Sequence, residues 1–119
     1  MLIATRRSQD SLIVRMTGEL DLRTAELFRS EVRRAWEAPP RPRHLILDLR
    51  GLTFIDSAGV GAILARCRDV SHSTAGRVVA FGTRPHVHRT LAMAGAWRVM
   101  HVAATQREAL AVAKGEGSA

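Results

Sequence analysis

A carboxylate, a hydroxyl and two glycines stand together in Asp56-Ser57-Ala58-Gly59-Val60-Gly61. Three chemistries suit such a cluster. A phosphate-cradling loop needs the Gly-x-x-x-x-Gly-Lys-Ser/Thr pattern, whose lysine reaches the phosphates; no lysine stands near. A nucleophile elbow needs glycine two residues before and two after its serine. Gly59 meets the second requirement, but Ile55 occupies the first position. His72, His86, His88 and His101 follow, without an acid–histidine pairing in their spacing. The third chemistry is modification: Ser57 does no catalysis and instead receives a phosphate, which adds about −1.5 to −2 charges and three acceptor oxygens.

These residues need a strand before them and a helix after them. Leu45-Ile46-Leu47, within His44 to Leu49, is a short apolar run suited to a buried central strand. Val60, Ile63, Leu64, Cys67 and Val70 repeat at helical spacing and predict a helix over about 58–70. Ser71 to Gly76 then reads as a turn. Either Asp56 or Ser57 can cap the helix start, where a phosphate would be tolerated by the helix dipole. Gly59 and Gly61 each cost about 1 kcal/mol of helix stability relative to Ala. Their expected gain is access, because a residue without Cβ lets another backbone come close.

The flanking sequence completes the pattern. Leu2–Arg6 and Ser11–Thr17 read as two strands, with Gly18 breaking the second and Gly18-Glu19-Leu20-Asp21 connecting onward. Thr24 is expected to cap a helix over about 25–37, whose Ala25, Phe28, Val32, Ala35 and Trp36 share a face. Val78 to Phe81 reads as another buried strand. Thr83 and Pro85 open a helix that Gly95 stops, and Trp97 to Val102 alternates as a last strand. Thr105-Gln106-Arg107-Glu108 has capping-box spacing before a final helix. The order β-β-α-β-α-β-α-β-α implies an α/β fold with a mixed, largely parallel sheet. Residues 1–114 are expected to form one domain, with 115–119 as a frayed tail.

Composition narrows the function classes. The 119 residues carry a formal net charge of +7, with 18 Lys+Arg against 11 Asp+Glu. Residues 1–37 contribute +1 and residues 38–119 contribute +6, yet the bases are spaced singly and form no block. Aromatics are 4% with no Tyr, too few for base-stacking platforms. Scattered charge and scarce aromatics argue against direct nucleic-acid binding. The single cysteine, Cys67, excludes an internal disulfide and a cysteine-based zinc site, and suits a reducing cytoplasm. No apolar run approaches a membrane span, and Met1 to Arg7 puts its charges after its apolar residues, the reverse of a secretory leader. No convergent acid, base, cofactor or metal set argues for an enzyme.

The run Asp56-Ser57-Ala58-Gly59-Val60-Gly61, after Leu45-Ile46-Leu47-Asp48-Leu49, resembles the phosphorylation segment of bacterial anti-sigma factor antagonists, which are single STAS domains. Gly18-Glu19-Leu20-Asp21 with Thr24-Ala25-Glu26 resembles a second stretch of that family, and Met93-Ala94-Gly95 a weaker third. The resemblance spans about Thr5 to Ala113. It implies that an ATP-dependent anti-sigma factor kinase phosphorylates Ser57, that only the unphosphorylated form binds this kinase and frees a sigma factor, and that a phosphatase resets the switch. It also implies that Asp56 helps orient the site, that Gly59 and Gly61 admit the kinase beside Ala58, and that Glu19, Asp21 and Thr24 lie at the docking end. Ala58 stands where relatives often carry a second serine. Related STAS domains serve instead as scaffold subunits of stressosomes or of lipid ABC transporters, which is the alternative reading. The family is commonly acidic or near neutral, so the +7 charge is a departure. Arg50 and its neighbours are expected to favour an acidic partner surface and to speed encounter with it.

Overall fold

The computed structural model describes residues 1–116. The five strands are β1 (Leu2–Ser8), β2 (Ser11–Leu20), β3 (His44–Ile55), β4 (Val78–Phe81) and β5 (His101–Ala103). They form one sheet in the order β1-β2-β3-β4-β5, antiparallel between β1 and β2 and parallel thereafter. Four helices follow β2 to β5 in turn: α1 (Ala25–Glu37), α2 (Ser57–Thr74), α3 (Pro85–Met93) and α4 (Gln106–Ala113). The expected element order and fold class are both present.

Strand order that advances without reversal has a consequence. Each right-handed crossover must place its helix on the same side of the sheet. Accordingly, Phe28 and Val32 of α1, Ile63 and Val70 of α2, and Val87 and Leu91 of α3 join one core with Leu12, Val14, Met16, Leu45 and Leu47 of the sheet. The opposite face receives only α4, whose Ala109, Val112 and Ala113 pack on Ile13, Ile46, Val79 and Phe81. Both faces of β3 and β4 are therefore buried, which explains their unbroken apolar runs. Cys67 is buried in the larger core, and burial pushes its thiol up to about 11, so it behaves as a small apolar side chain.

Several boundaries differ from the sequence reading. Gly18 does not end β2. It adopts φ +117° inside the strand, beside a register shift, and pairing continues to Leu20. β3 likewise runs six residues beyond Leu49, to Ile55. Between Arg15 and Thr17, β2 advances two residues while β3 advances from Asp48 to Gly51, and β3 gains another residue at Thr53. Such bulges increase twist and re-aim the strand ends. α2 continues through Ser71-His72-Ser73-Thr74, where the Ser73 and Thr74 hydroxyls find partners in the carbonyls of Asp69 and Val70 at 2.6 and 2.9 Å. Trp97 is not in a strand. Ala96–Arg98 form a 3-10 turn with Ala96 buried, and β5 begins only at His101.

The helix ends also resolve. Thr105 accepts from the Glu108 N–H at 3.1 Å, as its spacing predicts, while the Glu108 carboxylate reaches the Ala104 N–H and not that of Thr105. Thr83 caps nothing; Arg84 holds the N-cap position before Pro85. Gly115 and Glu116 donate to Val112 and Ala111 in the paired pattern that closes a helix. The first two residues of the expected tail thus close α4, and the remainder, 117–119, lies outside the described residues.

Asp48 is a carboxylate inside this sheet, with a side chain only 3% exposed. Arg50 grips it twice, Nε to Oδ1 at 3.0 Å and NH2 to Oδ2 at 2.8 Å, and lies over the Phe81 ring. Burial alone would raise the Asp48 pKa. The Arg50 hydrogen bonds and charge, with that of Arg15, hold it below its ordinary 3.8. A lowered folded pKa stabilises the fold above 3.8, and this contribution is lost as pH falls through and below that value. Asp48→Asn is therefore expected to lower the urea midpoint at pH 7, with the deficit shrinking as pH drops below 3.8. A deficit that stays constant down to pH 2 would show that the charge is immaterial.

Candidate functional site

The ends of β2 and β3 lie side by side, with Glu19 opposite Phe54 and Leu20 opposite Ile55. This adjacency brings together two stretches 35 residues apart in sequence. Asp56 then ties them. Its backbone N–H donates to Leu20 O at 3.2 Å. One carboxylate oxygen accepts the Gly59 N–H at 3.0 Å, capping α2, and the other accepts the Leu22 N–H at 3.1 Å. Of the two candidate caps, Asp56 takes the role. Ser57 is left as the first residue of α2, exposed, and its hydroxyl has no hydrogen-bond partner among the described residues.

Asp21 and Thr24 shape the neighbouring turn from within. Asp21 is only 8% exposed, and its carboxylate accepts the N–H groups of Arg23 and Thr24 at 3.0 and 3.2 Å. Burial pushes this carboxyl up, but the Arg23 guanidinium and these N–H groups outweigh it and hold it below the usual range. Thr24 sits at the N-cap of α1 yet does not cap it. Its hydroxyl donates to Glu19 O at 2.8 Å and accepts from the Asp21 N–H at 2.9 Å. Glu19 remains exposed and faces Arg23 at 3.6 Å. Of the expected docking residues here, Glu19 presents a side chain outward, whereas Asp21 holds the turn.

The two glycines prove to be different. A Cβ on Gly59 would meet Leu20 O at 2.4 Å and the Leu20 and Ile55 side chains at 2.9 Å. Gly59 is buried, so its missing side chain admits the end of β2 and not a partner. This corrects the expectation that Gly59 opens the surface. Gly61 is exposed with nothing within 4 Å of the same position, and Ala58, just before Gly59, is half-buried.

Sequence reasoning missed the apolar rim. Leu22 is 79% exposed and Phe54 44%, on the two stretches that Asp56 joins. Their only sequence signal was a large apolar side chain inside a polar turn and at the exposed end of a strand. It also missed the α3 bracing, where His86 Nε2 meets Thr53 O and Arg84 Nε donates to Arg50 O at 3.2 Å. Arg50 itself is engaged by Asp48 on the α4 side of the sheet, which removes it as a free cation for an acidic partner. No histidine is hydrogen-bonded to Ser57, and no three or more His, Cys, Asp or Glu side chains are grouped to hold a metal, both among the described residues.

An exposed serine opening a helix at the carboxyl ends of parallel strands, locked to the preceding turn by one aspartate, can be compared with known proteins. STAS domains match residues 3–109. The chain belongs to the STAS domain family. This STAS domain is 35% identical over 91 residues to the anti-sigma F factor antagonist of Paenibacillus polymyxa, covering 76% of each chain. It superposes on unphosphorylated SpoIIAA, an anti-sigma factor antagonist, with TM-score 0.80 and 26% identity, covering 98% of this chain and 100% of that one. For SpoIIAA of Bacillus in its phosphorylated form the TM-score is 0.70 at 26% identity, covering 92% and 96%. The relatives are regulatory proteins, and no helix among the described residues is long and apolar enough to cross a membrane.

The contrast between the glycines is measurable. Gly59→Ala is expected to destabilise the domain by about 1–3 kcal/mol, because backbone and not a flexible side-chain end blocks the new methyl. Gly61→Ala is expected to be neutral or to stabilise by up to about 1 kcal/mol through helix propensity. Urea unfolding of both variants tests this, and equal effects would contradict the separate roles.

Proposed function

We propose that this STAS domain is an anti-sigma factor antagonist switched by phosphorylation of Ser57. The observation carrying this reading is the exposed Ser57 hydroxyl at the start of α2, without a hydrogen-bond partner among the described residues, on a helix that Asp56 ties to the turn bearing exposed Leu22, next to the strand end bearing exposed Phe54. The unphosphorylated form binds an ATP-dependent anti-sigma factor kinase in the cytoplasm through this end, freeing a sigma factor. Leu22 and Phe54 supply area to be desolvated on docking, Glu19, Ala58 and Gly61 border it, and Asp21, Thr24, Asp56 and Gly59 hold it in shape.

The switch follows from what a phosphate costs in each state. In the free domain, water solvates it and the α2 N-terminus favours its charge, so the fold persists. In the complex, it would have to be desolvated against an apolar surface, an arrangement that disfavours docking. A phosphatase then restores binding by removing the group.

Mass spectrometry after incubation with ATP and the cognate kinase should place one phosphate on Ser57. Ser57→Ala should retain kinase binding, and Ser57→Asp should weaken it by about tenfold or more. Leu22→Ala and Phe54→Ala should each weaken binding of the unphosphorylated form by about tenfold without changing the fold. Failure of every candidate kinase to modify Ser57 would favour the scaffold role of stressosome or transporter STAS domains.

A further inference from the structure

The face of the sheet that α4 only partly covers holds a cleft. α4 packs mainly on β3, β4 and β5 and reaches β2 at Ile13, leaving the rest of the β1–β2 half of this face without a helix. In the antiparallel register Arg6 stands opposite Ile13 and Ala4 opposite Arg15. Arg6 and Arg15 are therefore diagonal neighbours on one face, about 7–8 Å apart at their bases. Arg15 in turn lies beside Asp48 on β3. A cleft of 230 Å³ opens here, lined by Arg6, Arg15, Arg50, Asp48, Ile13 and, from the first residue of α4, Gln106.

The charges of this cleft do not balance. Asp48 is its one carboxylate, and both oxygens are taken by Arg50. Arg6, Arg15 and Gln106 have neither ion-pair nor side-chain hydrogen-bond partners among the described residues. Two like charges on neighbouring positions of a strand pair repel each other. An anion between them removes that cost, and guanidinium groups suit oxyanions because their planar fork donates two parallel hydrogen bonds. At about 30 Å³ per water the volume equals roughly eight waters, enough for a tetrahedral oxyanion with a small substituent.

We propose that this cleft binds a dianion of the phosphate class between Arg6 and Arg15, with the Gln106 side chain as a further donor. The excess of two positive charges matches the charge of the ligand. Buried Ile13 forms an apolar wall that limits competing water, and the Asp48–Arg50 pair fixes the far side. The site needs neither Ser57 nor the kinase, so it stands or falls separately from the switch.

Titration of the full chain with inorganic phosphate at pH 7, followed by amide NMR with sodium chloride added to hold ionic strength constant, tests the site. Saturable shifts are expected in residues 4–6, 13–15 and 106. Arg6→Ala and Arg15→Ala should each weaken binding by about tenfold, the loss of one charge-assisted contact. Both side chains are exposed, so the variants should keep wild-type spectra elsewhere, and Ser57→Ala should bind phosphate as the wild type does. A parallel titration with glycerol 3-phosphate separates two sources of the same chemistry: tighter binding points to a phosphorylated metabolite, and equal binding to phosphate itself. Shifts that grow linearly without saturating, that chloride alone reproduces, or that persist unchanged in both arginine variants would overturn the proposal.

Discussion

The candidate site of this STAS domain depends on one carboxylate making two bonds. Asp56 accepts the Gly59 N–H with one oxygen and the Leu22 N–H with the other. The first bond satisfies an orphan donor of α2, as an N-cap does. The second fastens the turn between β2 and α1 to that same helix. An ordinary cap such as serine or threonine has a single side-chain oxygen and could not serve both so directly. The exposed groups around Ser57 consequently come from two distant parts of the chain yet form one surface. Gly59 makes the same junction possible from the packing side, since its bare Cα lets Leu20 O come close.

The rest of the architecture delivers strand ends to that junction. The sequential strand order forces three crossover helices onto one face and leaves α4 alone on the other. The first face is sealed by a large aliphatic core, so the ends of β2 and β3 are held rigidly. The second face is sealed mainly over β3 to β5, with Ile13 of β2 at the margin. The domain thus has two chemically different exposed regions: an end that carries Ser57 and the exposed apolar side chains of Leu22 and Phe54, and a half-bare sheet face with Arg6, Arg15 and Arg50. Both follow from the same topology.

Much of this was legible in the sequence because the signals are local. The apolar runs at 45–47 and 78–81, the helical stripe of α1, Pro85, Gly95 and the Thr105–Glu108 spacing all report on their own neighbours, and each element formed where they indicated. What was illegible depends on partners distant in the chain. Gly18 resembles a strand breaker until β3 lengthens beside it and absorbs the irregularity in bulges. Ser71 to Thr74 resemble a turn in sequence, yet they continue α2, with the Ser73 and Thr74 hydroxyls bonded back to its carbonyls. Thr24 has the residue type of a cap but bonds Glu19 O instead. The site shows the same division. Asp56-Ser57 could be recognised as a helix start, while the inward role of Gly59, the exposure of Leu22 and Phe54, and the engagement of Arg50 by Asp48 required the fold.

The +7 charge illustrates why location outweighs total. Around Ser57 the nearby ionisable groups include Glu19, Asp21 and Asp56 against Arg23, which is already shared between Glu19 and Asp21 at 3.6 and 3.2 Å. The basic excess is instead scattered, with three arginines on the α4 face. Exposed charges farther apart than about 8 Å are largely screened at physiological salt. A phosphate on Ser57 would therefore respond to its immediate surroundings and not to the net charge of the domain. There both Asp56 oxygens are already committed, and the start of α2 is the feature that would favour its charge. On the proposed reading, it would face a partner docked over Leu22 and Phe54. On that reading a strongly basic chain can carry a switch that adds negative charge, because the response is set by the immediate surroundings and not by the net charge.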